Sequence, residues 1–229
     1  MADTNKARIT ELQAINRMLA GIGQSPITQA GLDNAANPDV AIATETLYEV
    51  SRQIQSEGWA FNKEYNVLMS PNTSGLIAVG PDIMQVDASQ QIYRGRQASS
   101  TYYDATYYGA GTNASMDIII KNDLLYDKRN KTNKFTNSIQ CTVIYYRKFE
   151  DCPPSIQYYI VDAASALLCQ RIIGDTNTYQ MLQQRTAESR TYAIQYETEQ
   201  GDYSFFGSPA QGQYYVPYEP FDTLRRGWN

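Results

Sequence analysis

Apolar residues in the stretch Asn37–Asn62 recur with a helical period. Val40, Ala43, Leu47, Val50 and Ile54 follow one another at 3-4-3-4 spacing, which puts them on one face. Both ends of this helix are marked. Asn37 can accept from a free backbone N–H of the first turn. Pro38 stands where its missing donor costs nothing, and Asp39 faces the positive end of the helix dipole. Gly58 supplies a left-handed stop, and Trp59 falls where such a cap folds an apolar residue back, here against Ile54. Upstream, Thr10 and Gln13 form a capping box, with Ile9 and Ala14 placed as a hydrophobic staple. Leu12, Ile15, Leu19 and Ile22 follow at 3-4-3 spacing, and Gly21, Gly23 and Pro26 end that helix. Gln24–Ala36 reads as a loop. Asn16 and Arg17 fall off the first stripe and Arg52 and Gln53 off the second, as a solvated face or as contacts to a neighbouring subunit.

After Asn62 the period changes. Val67–Met69, Leu76–Val79, Ile83–Val86 and Ile118–Ile120 are short apolar runs bounded by turn signals, the pattern of antiparallel strands and hairpins. The best strand spans Ile139–Lys148, where Ile139, Cys141, Val143 and Tyr145 alternate with Gln140, Thr142, Ile144 and Tyr146. Ser99–Ser115, rich in Tyr, Ala and Gly, reads as a loop or irregular strand. Lys128, Arg129, Lys131 and Lys134 form a dense basic cluster at the tip of a hairpin. It is either a solvated turn or a contact with passing DNA or an acidic neighbour.

Helical spacing returns near Pro154, with Ile156, Ile160, Ala163 and Leu167 on one face. Gly174 ends this helix and Asp175 caps the next, so the two are antiparallel neighbours. The last helix, roughly Thr176–Glu197, presents Tyr179, Leu182, Thr186, Ser189, Ala193 and Tyr196, a weakly apolar face suited to a peripheral position. From Gly201 the periodicity is lost. This tail carries three prolines and eight aromatic residues, too aromatic for a plain linker, and reads as an extended arm that docks on a partner. The pattern therefore predicts an α+β fold. Both chain ends form a four-helix domain, an antiparallel β domain is inserted between helices two and three, and an extended C-terminal arm follows. The segments are 1–62, 63–150, 151–200 (one domain with 1–62) and 201–229.

Composition narrows the function. Nineteen Lys and Arg against 24 Asp and Glu give a net charge of −5, a poor balance for a general nucleic-acid binder. There is no histidine, so the commonest general base and transition-metal ligand is missing. Cys141, Cys152 and Cys169 show no CxxC spacing. With no export signal in the opening residues, they point to reduced thiols in a protein made in the cytosol. No apolar run approaches a membrane span. Nineteen tyrosines against six Phe and two Trp, several in doublets, point to half-buried sheet or to extensive protein interfaces. No Walker loop, GxSxG elbow or HExxH is present, so no catalytic residue, cofactor or metal site is assigned. A carboxylate pair that cleaves sugars, or a tyrosine-lined module that binds them, is the alternative reading.

Four regions resemble the tail tubular protein A family, adaptor rings of T7-like short-tailed bacteriophages. The most specific is the run Arg52-Gln53-Ile54-Gln55-Ser56-Glu57-Gly58-Trp59 through Phe61-Asn62. Glu11, Ala14, Ile15, Asn16, Arg17, Leu19, Ile22, Gly23, Pro26 and Ile27 match its N-terminal pattern. The insert answers with Leu68, Met69, Pro71, Gly75, Ile77, Val79, Pro81, Asp82, Ile83, Val86 and Asp87, then Leu125-Tyr126-Asp127. Pro153, Pro154, Tyr159, Ile160, Ala163, Ala164 and the Gly174-Asp175 junction complete the match over roughly residues 9–197. The resemblance implies a non-enzymatic virion protein, assembled in the host cytoplasm, forming a dodecameric ring under the portal. The nozzle protein, tail tubular protein B, docks below it, with tail fibres at the junction, and DNA passes through the lumen without specific binding. The expected partner contacts are Arg52, Gln53, Trp59, Tyr214, Tyr215, Leu224, Arg225, Arg226 and Trp228. The hairpin cations Lys128, Arg129, Lys131 and Lys134 are either a solvated turn or a candidate contact with the DNA channel or a neighbouring subunit.

Overall fold

Thr10 opens the first helix as the sequence predicts. Its hydroxyl accepts from the Gln13 backbone, and the Gln13 side chain accepts from the Thr10 backbone in return. The computed structural model describes residues 7–34, 37–88 and 117–201. It contains α1 (Glu11–Gly21), α2 (Gln29–Asn34), α3 (Pro38–Gln55), β1 (Lys63–Met69), β2 (Ile83–Ala88), β3 (Ile118–Lys121), β4 (Leu124–Asp127), β5 (Ile139–Tyr145), α4 (Pro154–Ile172) and α5 (Thr176–Gly201). A 3-10 turn, Phe149–Asp151, precedes α4. The fold is α+β, with antiparallel strand pairing throughout the described sheets. The chain divides into two compact units, Met1–Ser51 with Lys148–Asn229, and Arg52–Arg147. The first division falls within α3.

The first unit is helical. Ala14, Ile15, Met18 and Leu19 of α1 are buried, as are Val40, Ala43, Leu47 and Val50 of α3. α4 is buried almost all round, from Ile156 and Gln157 through Tyr159, Ile160 and Val161 to Leu168 and Cys169. The single face read from its sequence is therefore too narrow, and Ala163 and Leu167 are only half-buried while Ala164 and Leu168 are fully enclosed. α5 is peripheral, and the side chains that turn inward are those its spacing predicts, with Ser189 and Ala193 the most enclosed. The stretch read as a loop before α3 contains the six-residue helix α2, which buries no residue and so leaves no apolar stripe to read.

Polar side chains fasten this unit across long sequence distances. Gln157, fully buried, accepts from Ile9 N–H at 3.0 Å and donates to Ile9 C=O at 3.1 Å and Phe149 C=O at 2.9 Å. Arg171 of α4 reaches Thr46 and Glu49 of α3, at 2.9 and 2.8 Å. Asn16, read as a solvated residue or a subunit contact, is half-buried and bonded within its own unit. Its amide donates to Ile27 C=O at 3.0 Å and accepts from Ile27 N–H at 2.7 Å, tying the segment after α1 back to that helix.

The second unit is built on a three-stranded sheet of order β1-β5-β2, with β3 and β4 paired as a separate hairpin. Register shifts interrupt β1 between Glu64 and Val67 and β2 between Ile83 and Gln85. Central β5 buries Ile139, Cys141 and Val143 on one face, against a core that includes Met69, Val86, Ile118, Leu125 and Phe135. Leu76–Val79 is not a strand of either sheet. It runs as an extended segment, bridged from Leu76 to Lys134 and from Ala78 to Leu124.

Candidate interaction surfaces

The Arg52–Asn62 run, the most specific part of the resemblance, is a structural joint. Asn37 caps α3 through Asp39 N–H at 3.0 Å, and the turn that follows the helix after Gln55 is closed by Gly58, whose φ of 78° is left-handed. Buried Gln55 pairs twice with the Arg147 backbone, accepting from its N–H at 2.7 Å and donating to its C=O at 2.9 Å. Asn62 donates to Gln55 C=O and to Tyr145 C=O, each at 2.9 Å. Trp59, expected among the partner contacts, packs inside its own unit. It is 5% exposed, and its indole N–H donates to Ile54 C=O at 2.7 Å, because the turn at Gly58 folds the ring inward. Arg52 and Gln53 remain on the surface.

The basic hairpin is organised by an anion. Asp127 is buried and accepts from Arg129 N–H at 2.9 Å, Asn130 N–H at 3.2 Å and the Asn130 amide at 2.7 Å. Burial alone would raise its pKa. The Asn130 side chain and the Asn130, Arg129 and Asp117 backbone outweigh that and hold the carboxyl below its ordinary range. Around this clasp Lys128, Arg129, Lys131 and Lys134 all point to the surface, and Lys128 pairs with Asp117 at 2.8 Å. Tyr214, Tyr215, Leu224, Arg225, Arg226 and Trp228 lie outside the described residues.

Several tyrosines are engaged within the chain by cations: Arg17 over Tyr158 at 4.8 Å, Arg147 over Tyr145 at 4.9 Å and Lys121 over Tyr126 at 5.0 Å. Arg17 is thus held internally, and it also approaches the buried carboxylate of Asp162 at 3.6 Å. Arg185 of α5 meets the same oxygen at 3.2 Å. Burial pushes the Asp162 carboxyl up despite Arg185 and Arg17. A notch of about 370 Å³ opens beside this cluster. A second depression, about 360 Å³, lies between α2 and α3, with Leu32, Ala41 and Thr44 in it and the carboxylates of Glu11, Asp33 and Glu45 around it. The sequence pattern signalled neither depression, because their residues come from separate helices.

Burial raises the thiol of Cys141 to about 11 and that of Cys152 to about 12, which suits interior packing and not nucleophilic chemistry. Among the described residues no group of three or more His, Cys, Asp or Glu could hold a metal ion, and no helix is long and apolar enough to cross a membrane.

No curated protein matches the chain. The model of the tail tubular protein family matches it in two overlapping segments, residues 12–108 and 103–203. That family consists of structural proteins of the phage virion tail and is not an enzyme family. The matched segments carry the joint at Gly58, the sheets and both C-terminal helices, and the chain belongs to the tail tubular protein family.

Proposed function

We propose that this chain is the adaptor of a short-tailed phage, a dodecameric ring between the portal and the tail nozzle through which the genome leaves the head. The observation that carries the reading is the family match across nearly all of the described chain. Met181, Tyr192 and Ile194 are exposed on the peripheral helix α5, side chains that a neighbour in the ring would cover. The net charge also fits a conduit. Twelve copies at −5 each sum to about −60, and a lumen sharing that charge repels the DNA backbone and lets it slide. In this reading Arg52, Gln53 and the arm 201–229, with Tyr214, Tyr215, Leu224, Arg225, Arg226 and Trp228, contact the portal, the nozzle protein or tail fibres.

Sedimentation of the purified protein, alone and with the portal ring of the same virion, tests the proposal. The expected result is a small species alone and uptake of about one chain per portal subunit in the mixture. A protein that stays monomeric in both samples and leaves the portal boundary unchanged overturns it.

A further inference from the structure

We propose that the hairpin tip Lys128–Lys134 touches the DNA backbone, through phosphate contacts that read no sequence. The choice of DNA as the polyanion rests on the conduit reading. The tip itself is argued from three observations.

The first is charge. Residues 128–134 hold four cations and no acid, in a chain of net charge −5, so the rest of the chain carries −9. Positive charge is gathered at one place, while the remaining surface repels a polyanion. Two acids stand beside the tip. Asp117 pairs with Lys128 at 2.8 Å, and Asp127, 1% exposed, is turned inward onto the Arg129 and Asn130 backbone. With both counted, a surplus of two positive charges remains. Lys131 and Lys134 supply it, since both are exposed and neither has an ion-pair partner among the described residues.

The second is order. Asp127 N–H donates to Thr132 C=O at 2.8 Å and Thr132 N–H returns to Asp127 C=O at 3.2 Å, which closes the loop at its base. Lys134 N–H donates to the Thr132 hydroxyl at 3.1 Å, and buried Phe135 fixes the far end through its N–H to Gly75 C=O at 2.8 Å. A loop that is already tied in one shape gives up little backbone freedom when it binds.

The third is the chemistry of the tip. Between Asp127 and Phe135 every residue is Lys, Arg, Asn or Thr. Protein interfaces are built on aromatic and apolar anchors and are poor in lysine, and this tip has no such anchor. Phosphate oxygens are held by these side chains and by backbone N–H groups. With no aromatic ring in the tip, no base can stack on it, so the contact stays on the backbone.

The test is the salt dependence of binding to a short fluorescent DNA duplex, followed by anisotropy with the full chain. In the wild type, log K is expected to fall linearly with log salt, by about 0.9 per phosphate contacted. Lys131→Gln with Lys134→Gln is expected to weaken binding about tenfold and to flatten that slope by about 1.8. Both side chains are exposed, so the circular-dichroism melt should not move. Arg52→Gln with Lys148→Gln makes the same change in net charge elsewhere on the surface and is expected to leave affinity and slope unchanged. No binding by the wild type, or equal loss in the two double variants, overturns the inference. Displacement of the DNA by poly-glutamate at equal charge concentration means that any acidic surface fits, and overturns the choice of DNA. Sedimentation of the same preparations with the portal ring keeps the two readings apart. Uptake without DNA binding overturns the tip contact and leaves the ring standing, and DNA binding without uptake does the reverse.

Discussion

Replacing Gly58 with alanine puts the joint of the second unit under two separable loads. The first is conformational. At φ 78° an L-residue pays about 1–2 kcal/mol that glycine does not. The second is steric. A Cβ built on Gly58 lies 2.7 Å from Ile144 Cδ1 and 3.3 Å from its Cγ1, closer than packed carbons tolerate. Ile144 is buried in the central strand, so its Cδ1 can give way only by turning within the core, an overpacking cost of about 1–3 kcal/mol. The total expected for Gly58→Ala is about 2–5 kcal/mol. Ile144→Val removes Cδ1 and alone costs about 0.5–1.5 kcal/mol. Because it also removes the closest clash, the double variant should be less destabilised than the sum of the singles, by about 1 kcal/mol. Urea unfolding followed by fluorescence measures this, in a Trp228→Phe background so that Trp59, buried in the same unit, is the only reporter. Strict additivity would refute the steric half of the argument. A loss below about 1 kcal/mol for Gly58→Ala would refute both halves.

Asn16→Ala removes both bonds to the Ile27 backbone and is expected to cost about 2 kcal/mol, read from chemical unfolding by circular dichroism. Asp127 has a folded-state pKa below its ordinary 3.8, so its contribution is present above that value and lost as pH falls through the folded one. Wild type should therefore lose stability in its second unit on acidification through that range, and Asp127→Asn should flatten that part of the profile. Asp162 has the opposite sign. Its raised pKa means that its ionisation opposes folding, so mild acid should not weaken the helical unit through this group. The three cysteines should resist a thiol reagent at pH 8 in the native protein and react fully in denaturant, which a timed absorbance assay distinguishes.

Sequence periodicity located α1, α3 and α5 because each has one buried stripe and a marked end. Thr10, Asn37 and Gly58 act where their chemistry places them. α4 was found but its face was not, because a helix enclosed by neighbours has no polar side to define a stripe. β4 follows β3 after only two residues, too closely for its four residues to stand out, and Leu76–Val79 has the pattern of a strand but pairs only through isolated antiparallel bridges. The candidate surfaces were the least legible. Asn16, Gln55 and Gln157 resemble surface residues in a sequence, yet each spends its amide on a distant backbone group. Trp59 carries the residue type of an interface hot spot and is instead folded inward by the glycine before it.

The clasp between Gln157 and Ile9 also sets an order of events during synthesis. The second unit, Arg52–Arg147, is continuous and can complete its fold as soon as β5 leaves the ribosome. The helices of Met1–Ser51 cannot, since α4, against which they close, is made later. At ordinary elongation rates the 148 residues between Ile9 and Gln157 correspond to roughly 7–30 s. For most of that interval Ile15 and Leu19, joined later by Val40 and Leu47, wait without their partner, a window in which a nascent chain is open to chaperones.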